Sequence, residues 1–169
     1  MSTIGLFYGS ETGNTRKVAK SIVKKLGEDV VELFNVSKAS ADDVAKFSAL
    51  ILGSPTLGDG ELVDSWKEFL PTFKGVDLTG KTVAIYGLGD QESYGHEFCD
   101  AMAILFEAAK AQGATLIGSW PTDDYEFSKS KAVVDGEFVG LALDNDNQKD
   151  MTDERVDAWL EQVKDALLG

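Results

Sequence analysis

Short apolar runs alternate with amphipathic helical patterns along nearly the whole chain, and this alternation restricts the fold more than any other feature. Ile4-Gly5-Leu6-Phe7-Tyr8 reads as a buried strand, and Val18, Ala19, Ile22, Val23 and Leu26 follow at helical spacing until Gly27 stops the pattern. Val30-Val31-Glu32-Leu33-Phe34 reads as a second strand, Ser40 caps a short helix through about Lys46, and Ala49-Leu50-Ile51-Leu52 is a third strand. Trp66, Phe69 and Leu70 mark another helix, followed by strand Thr82-Val83-Ala84-Ile85-Tyr86 and a helix from about Glu97 to Gln112 closed by Gly113. A fifth strand begins at Thr115-Leu116-Ile117-Gly118. The last helix starts at Thr152, with Asp153 and Glu154 in its first turn and Val156, Trp159, Leu160, Val163 and Leu167 along one face. This order predicts an α/β fold, a five-stranded parallel sheet covered by helices on both faces, joined by right-handed crossovers. Between Trp120 and Phe138 the pattern breaks at Pro121, Asp123, Asp124 and Gly136, and Val139-Gly140-Leu141-Ala142-Leu143 resumes it. That segment reads as an insertion splitting the fifth strand, with Trp120, Tyr125 and Phe127 suited to pack it down.

Composition narrows the possible functions. A chain of 169 residues that is 43% hydrophobic can build one sizeable core, so residues 1–169 are expected to form a single domain. No apolar run approaches the roughly 18 residues of a membrane span, and the N-terminus lacks a basic-then-apolar order, which points to a soluble, cytoplasmic protein. The lone Cys99 cannot form an internal disulfide, and with His96 the only histidine no zinc site is expected. A net charge of −13 argues against nucleic acid and anionic membranes as partners. It suits a basic protein partner, although an acidic surface also simply keeps a protein in solution.

In a sheet of this kind ligands bind where the strands' C-terminal ends meet their loops. The first such loop, Ser10-Glu11-Thr12-Gly13-Asn14-Thr15, offers three hydroxyls, a glycine and the N–H groups of a starting helix. These can surround a phosphate monoester without a lysine, and the helix dipole favours its charge. Read alone, the same residues fit an ordinary helix N-cap equally well. The loop after the third strand is Ser54-Pro55-Thr56-Leu57-Gly58-Asp59-Gly60-Glu61, where two glycines bracket Asp59. The loop after the fourth, Gly87-Leu88-Gly89-Asp90-Gln91-Glu92-Ser93-Tyr94-Gly95, is again Gly-rich and acidic and carries one aromatic ring.

Taken in order, the hydroxyl-rich first loop, the Ser-Pro-Thr second loop and the Gly-x-Gly-Asp-Gln third loop strongly resemble those of the flavodoxins, and the resemblance covers essentially the whole chain. The Trp120–Phe138 segment, with Trp-x-Thr-Asp-x-Tyr-x-Phe and later Leu141-Ala142-Leu143-Asp144, is similar to the insertion of the long-chain class. The resemblance implies a flavodoxin-like α/β/α sandwich with strand order 2-1-3-4-5 and non-covalently bound FMN. Carried over by motif, Ser10, Glu11, Thr12, Gly13, Asn14 and Thr15 would hold the 5′-phosphate, Thr56 and its neighbours the ribityl region, and Leu57 and Tyr94 the two isoalloxazine faces. Leu57 stands where many flavodoxins have tryptophan, so aromatic stacking is expected on the Tyr94 face alone. Asp59, Asp90 and Glu61, with the backbone of Leu88, Gly89 and Glu92, would surround the pyrimidine side. Cys99 would line its edge, and Asp146 would reach the ribityl hydroxyls or remain a solvated loop acid. Ser54, Pro55, Gly60, Glu97 and Phe98 complete the implied cofactor-binding set.

The resemblance also implies redox behaviour. A peptide at Gly58-Asp59 able to turn its carbonyl toward flavin N5 would stabilise a neutral semiquinone. Carboxylates near N1, with no cationic side chain in the three loops, would disfavour the anionic hydroquinone. Such a protein would be a low-potential one-electron carrier rather than an enzyme, and most simply a monomer. Its implied partners are redox proteins such as a flavodoxin/ferredoxin NADP reductase and low-potential acceptor enzymes, steered by Asp59, Glu61, Asp64, Glu92 and Glu97. The alternative is an FMN-dependent NAD(P)H reductase of quinones or nitro compounds on the same scaffold, although no second Gly-rich dinucleotide fingerprint is present. A response-regulator receiver would need acids where Gly9-Ser10 and Gly53-Ser54 stand, and a P-loop would need a second glycine and a lysine in the first loop. His96 and Cys99 lack a catalytic constellation and are expected to be an exposed histidine and a buried thiol.

Overall fold

The computed structural model describes residues 3–10, 13–57 and 60–169, so Glu11, Thr12, Gly58 and Asp59 of the expected site lie outside the described residues. In chain order the elements are β1 (Ile4–Tyr8), α1 (Asn14–Leu26), β2 (Val31–Asn35), α2 (Ala41–Ala45), β3 (Ala49–Leu57), β4 (Glu61–Leu62), α3 (Asp64–Lys74) and β5 (Thr82–Leu88). They continue with α4 (Ala101–Ala111), β6 (Thr115–Ile117), β7 (Trp120–Pro121), β8 (Val133–Val134), β9 (Glu137–Phe138), β10 (Leu141–Leu143) and α5 (Lys149–Leu168).

The central sheet runs β2-β1-β3-β5, all parallel, and its fifth position is shared by two short strands. β6 pairs with the first half of β5, Thr82 opposite Thr115, and β10 with the second half, Leu141 opposite Tyr86. The expected order and the split fifth strand are both present. Between the halves, β7, β9 and β8 form a small antiparallel sheet, which the residue pattern gave only as irregular chain. β3 runs on to Leu57 because its end pairs antiparallel with β4, Thr56 opposite Leu62 and Leu57 opposite Glu61.

Alternating side chains of each strand enter opposite cores, which is why the strands read as unbroken apolar runs. Ile4, Leu6, Ile51, Ala84 and Tyr86 pack toward α1 and α5 with Val18, Ile22, Trp159 and Val163. Phe7, Leu50, Leu52, Val83 and Ile85 pack on the other face with Trp66, Phe73, Met102 and Leu105. The insertion closes on this second core, where Tyr125, Phe127 and Phe138 surround Phe98 with ring centroids 5.4–5.7 Å away.

Two helix starts differ from expectation. α4 begins at Ala101, not Glu97, because Cys99 has φ 55, which a right-handed helix cannot contain. α5 begins at Lys149, ahead of Thr152, because the polar turn after β10 already leads into it: Gln148 N donates to Asp144 O at 2.8 Å. Its apolar face starts only at Val156, so hydrophobic periodicity could not mark that first turn. Among the described residues no helix is long and apolar enough to cross a membrane, and no three His, Cys, Asp or Glu side chains gather to hold a metal.

Candidate functional site

The loops after β1, β3 and β5, joined by the turn after β10, enclose a cleft of about 310 Å³ at the C-terminal edge of the sheet. It is lined by Asn14, Pro55, Thr56, Leu57, Leu88, Gly89, Asp90, Tyr94, Asn145 and Asp146. A larger cavity of about 740 Å³ lies on the flank between the end of α3 and α4, and among the described residues Gly60 is the only expected site residue on its wall. The smaller cleft is the better ligand site, because a helix start, an aromatic ring and three loops converge on it.

One end of the cleft is the start of α1. Gly13, at φ 93, precedes the helix and donates its N–H to Ser10 Oγ at 3.0 Å. The first intrahelical bond is Lys17 N to Gly13 O at 3.0 Å, so the N–H groups of Asn14, Thr15 and Arg16 have no carbonyl four residues back within the helix. No acid stands in this first turn to compete for them. Thr15 is buried, and its carbonyl accepts from the buried Tyr86 hydroxyl at 2.9 Å, which fixes the helix start to the sheet.

The second loop forms the wall. Pro55, Thr56 and Leu57 are half-buried against the cleft, and Thr56 Oγ1 accepts from Ala101 N at 3.1 Å while keeping its own proton to donate. Ser54 behaves differently from expectation. It is buried outside the cleft, and its hydroxyl is turned onto Pro55 O at 2.8 Å, so it shapes the loop. Gly60 likewise stands apart from the cleft, against Asp100.

The third loop supplies floor and rim. Gly89 is required by close packing, because a Cβ there would come 2.8 Å from the Phe98 ring and 2.9 Å from Cys99 N. Asp90 points back into its own turn, accepting from Ser93 N at 2.9 Å, Glu92 N at 3.1 Å and Asn147 Nδ2 at 2.9 Å. Burial works to raise its carboxyl, but these bonds outweigh it and hold Asp90 below the usual carboxylate range. Tyr94 is the cleft's exposed aromatic, with 44% of its surface open. Its N–H donates to Asp90 O and its carbonyl accepts from Glu97 N, so the backbone beneath the ring is fixed.

The remaining expected residues divide between wall and core. Asp146 lies on the rim, where partial burial and the neighbouring Asp90 and Asp144 push its carboxyl above the usual range. Phe98 and Cys99 are fully buried behind Gly89 and do not line the cleft. Burial, then Asp144, pushes the Cys99 thiol up, and its sulfur lies 4.0 Å from Leu143 O. Glu97 is also off the cleft, with Oε1 3.1 Å from the exposed His96 and Oε2 buried without a partner among the described residues. Glu61 is paired with Lys67 at 2.5 Å, which offsets one acid of the expected collar.

Residue patterns overlooked the support behind the cleft. Asp144 is wholly buried, and its two oxygens accept from Gln91 N and Nε2, Asp146 N, and Asn147 N and Nδ2. Gln91 in turn bonds Gln148 Oε1 and accepts from Glu126 N, tying the third loop to α5 and to the insertion. Arg155 reaches Gln148 Oε1 at 2.8 Å and lies 4.1 Å over the Tyr125 ring. Asn145, which lines the cleft, was also missed. Its position in the polar run that follows the resumed fifth strand was the available signal, since that run ends on the same sheet edge.

The Flavodoxin family profile matches residues 6–159. The chain belongs to the flavodoxin family. It is 49% identical over 177 aligned residues to a flavodoxin of Enterobacter agglomerans, covering 99% of this chain and 100% of that protein. It is 44% identical to flavodoxin 1 of Escherichia coli strain K12, over 99% and 96% of the two chains. Among solved structures, the Fusobacterium nucleatum flavodoxin bound to flavin mononucleotide superposes with a TM-score of 0.93, at 33% identity and over 98% of this chain and 99% of that one. The family assignment accounts for the parallel sheet and for the convergence of the three loops on one edge.

Proposed function

We propose that this flavodoxin-family chain is a one-electron carrier that holds FMN non-covalently in the cleft at the ends of β1, β3 and β5, as one domain of the long-chain class. The observation that carries the reading is the set of groups that lines one cleft: a helix start at Asn14, a hydroxyl at Thr56, and apolar and aromatic side chains at Leu57 and Tyr94. That set suits a phosphate, a polyol and a flat ring. The fit is supported by the helix start, whose first N–H groups favour a dianion, and by Gly89, where any side chain would strike Phe98 and Cys99. When bound, FMN supplies the electron-accepting ring chemistry.

The chain's own residues do the rest. Asn14 and Thr15 would donate backbone N–H groups to the phosphate, with Ser10 bracing Gly13 beneath it. Thr56 would donate its free hydroxyl proton to the polyol. Tyr94 would lie on the ring face with its hydroxyl in water, and Leu57 would exclude water from the other face. Asp90 and Asp146 place negative charge at one side of the cleft, which disfavours adding charge there and supports a low potential. The proposed partners are redox proteins that meet an exposed flavin edge: a flavodoxin/ferredoxin NADP reductase as donor and low-potential enzymes as acceptors. In this reading the protein acts as a monomer in the cytoplasm, and exposed Asp64 and Glu92 steer basic partners in short encounters.

The test is addition of FMN to cofactor-free protein with flavin fluorescence followed. Stoichiometric quenching and no oxidation of NADPH without a separate reductase are expected. Rapid NADPH oxidation by the pure protein would make it a reductase instead.

A further inference from the structure

The first turn of α4 holds three segments that are far apart in the chain. Thr56 Oγ1, just before residues 57–60, accepts from Ala101 N at 3.1 Å. Gly60, four positions after Thr56, lies against Asp100: a Cβ on Gly60 would come 2.8 Å from Asp100 Oδ2 and 2.9 Å from its Cβ. The other carboxylate oxygen, Oδ1, accepts from Lys131 N in the insertion at 2.7 Å.

Asp100 is 3% exposed and follows Cys99, whose φ of 55 is unusual for a residue with a side chain. Such a conformation persists only where the surroundings over-determine it. Here the close packing of Gly89 on Cys99 N does so from the third loop. Buried carboxylates need strong donors, and a charge-assisted N–H bond is among the strongest.

We propose that Asp100 is a positioning residue for the second loop: it packs against Gly60 and accepts from Lys131 N in the insertion, while the next residue's N–H, Ala101 N, holds Thr56. The clamp keeps Thr56 and Leu57 at the wall of the cleft, so the insertion supports the second loop as well as the third, although none of its described residues lines the cleft. The effect on FMN rests on the carrier reading; the clamp itself does not.

Charged groups face Asp100 from each neighbouring element. Burial raises its carboxyl above the usual range, the Lys131 N–H and charge and Lys129 oppose this, and Glu97 adds to it. Lys74, Asp77 and Glu107 stand around the flank cavity of about 740 Å³ that Asp100 and Gly60 also line. Through that cavity the carboxyl can exchange its proton with water.

Two measurements test the proposal. In the cofactor-free protein, the amide resonances of Gly60 and Lys131 should follow one titration with a midpoint above 3.8, and D100N should abolish it in both. If Gly60 does not move with Lys131, or still moves in D100N, the clamp is refuted. In the folded protein, D100A should weaken FMN binding about tenfold, whereas D100N, which keeps an acceptor for Lys131, should stay within about threefold. Binding by folded D100A equal to that of the unaltered chain would overturn the proposal. If the unaltered chain itself takes up no FMN, the carrier reading fails, and the amide titration alone decides the clamp.

Discussion

The first and third loops face each other across the cleft but are held in different ways. Among its described residues the first is held mainly at close range, by Gly13 N on Ser10 Oγ three residues back and Lys17 N on Gly13 O, with one distant bond from the Tyr86 hydroxyl to Thr15 O. The third has local bonds on Asp90 too, but it is also held from a distance, by Asp144 and Gln148, 53 and 57 positions from Gln91, and by Asn147, 57 positions from Asp90. A loop built from local bonds can be adjusted with little effect elsewhere. A loop hung on a buried network transmits any loss to the elements that share it.

The sharpest way to break this contrast is Asp144→Ala. Five hydrogen bonds to one wholly buried carboxylate would be lost, two of them buried and three part-buried, at a cost of about 3 kcal/mol in chemical unfolding. By comparison, Ser10→Ala removes one acceptor at a helix start and should cost about 1 kcal/mol. Equal costs for the two would erase the distinction.

Those two loops also differ in how much of them the amino-acid pattern reveals. Strands β1, β3 and β5 were legible because burial on both faces makes them continuous apolar runs, and α1 because its apolar spacing starts at a glycine and hydroxyl-rich turn. The glycine before the helix start, Gly13, was legible for the same local reason. The Asp144 network was not, since Gln91, Asp144 and Gln148 follow no period and meet only once the fold is formed. Cys99 hid the true start of α4, because nothing in a cysteine announces a positive φ. The hairpin between β8 and β9 did carry a signal, Asp135-Gly136 with φ 54 and 86, the pairing that tight hairpin turns prefer. The two-residue strands beside it are too short for alternation to show.

Smaller effects sharpen the picture of the cleft. Tyr94→Ala removes the exposed ring and should weaken FMN binding about tenfold, measured by fluorescence titration, with the stability of the cofactor-free protein little changed. Asp146→Asn tests the rim charge. Its carboxyl is raised in the folded state, so the folded protein binds more protons, and stability falls as pH climbs from 3.8 through the raised value. The variant should flatten that part of the stability profile of the cofactor-free protein. An unchanged slope would mean that burial, Asp90 and Asp144 together do not raise the Asp146 carboxyl.

The most direct test of an FMN electron carrier is anaerobic, stepwise reduction of the purified protein followed by visible absorption. The account predicts a yellow protein that releases FMN on denaturation and passes through a long-wavelength one-electron form before bleaching. A bound flavin that bleaches in a single two-electron step, or a colourless protein that refuses added FMN, would contradict it.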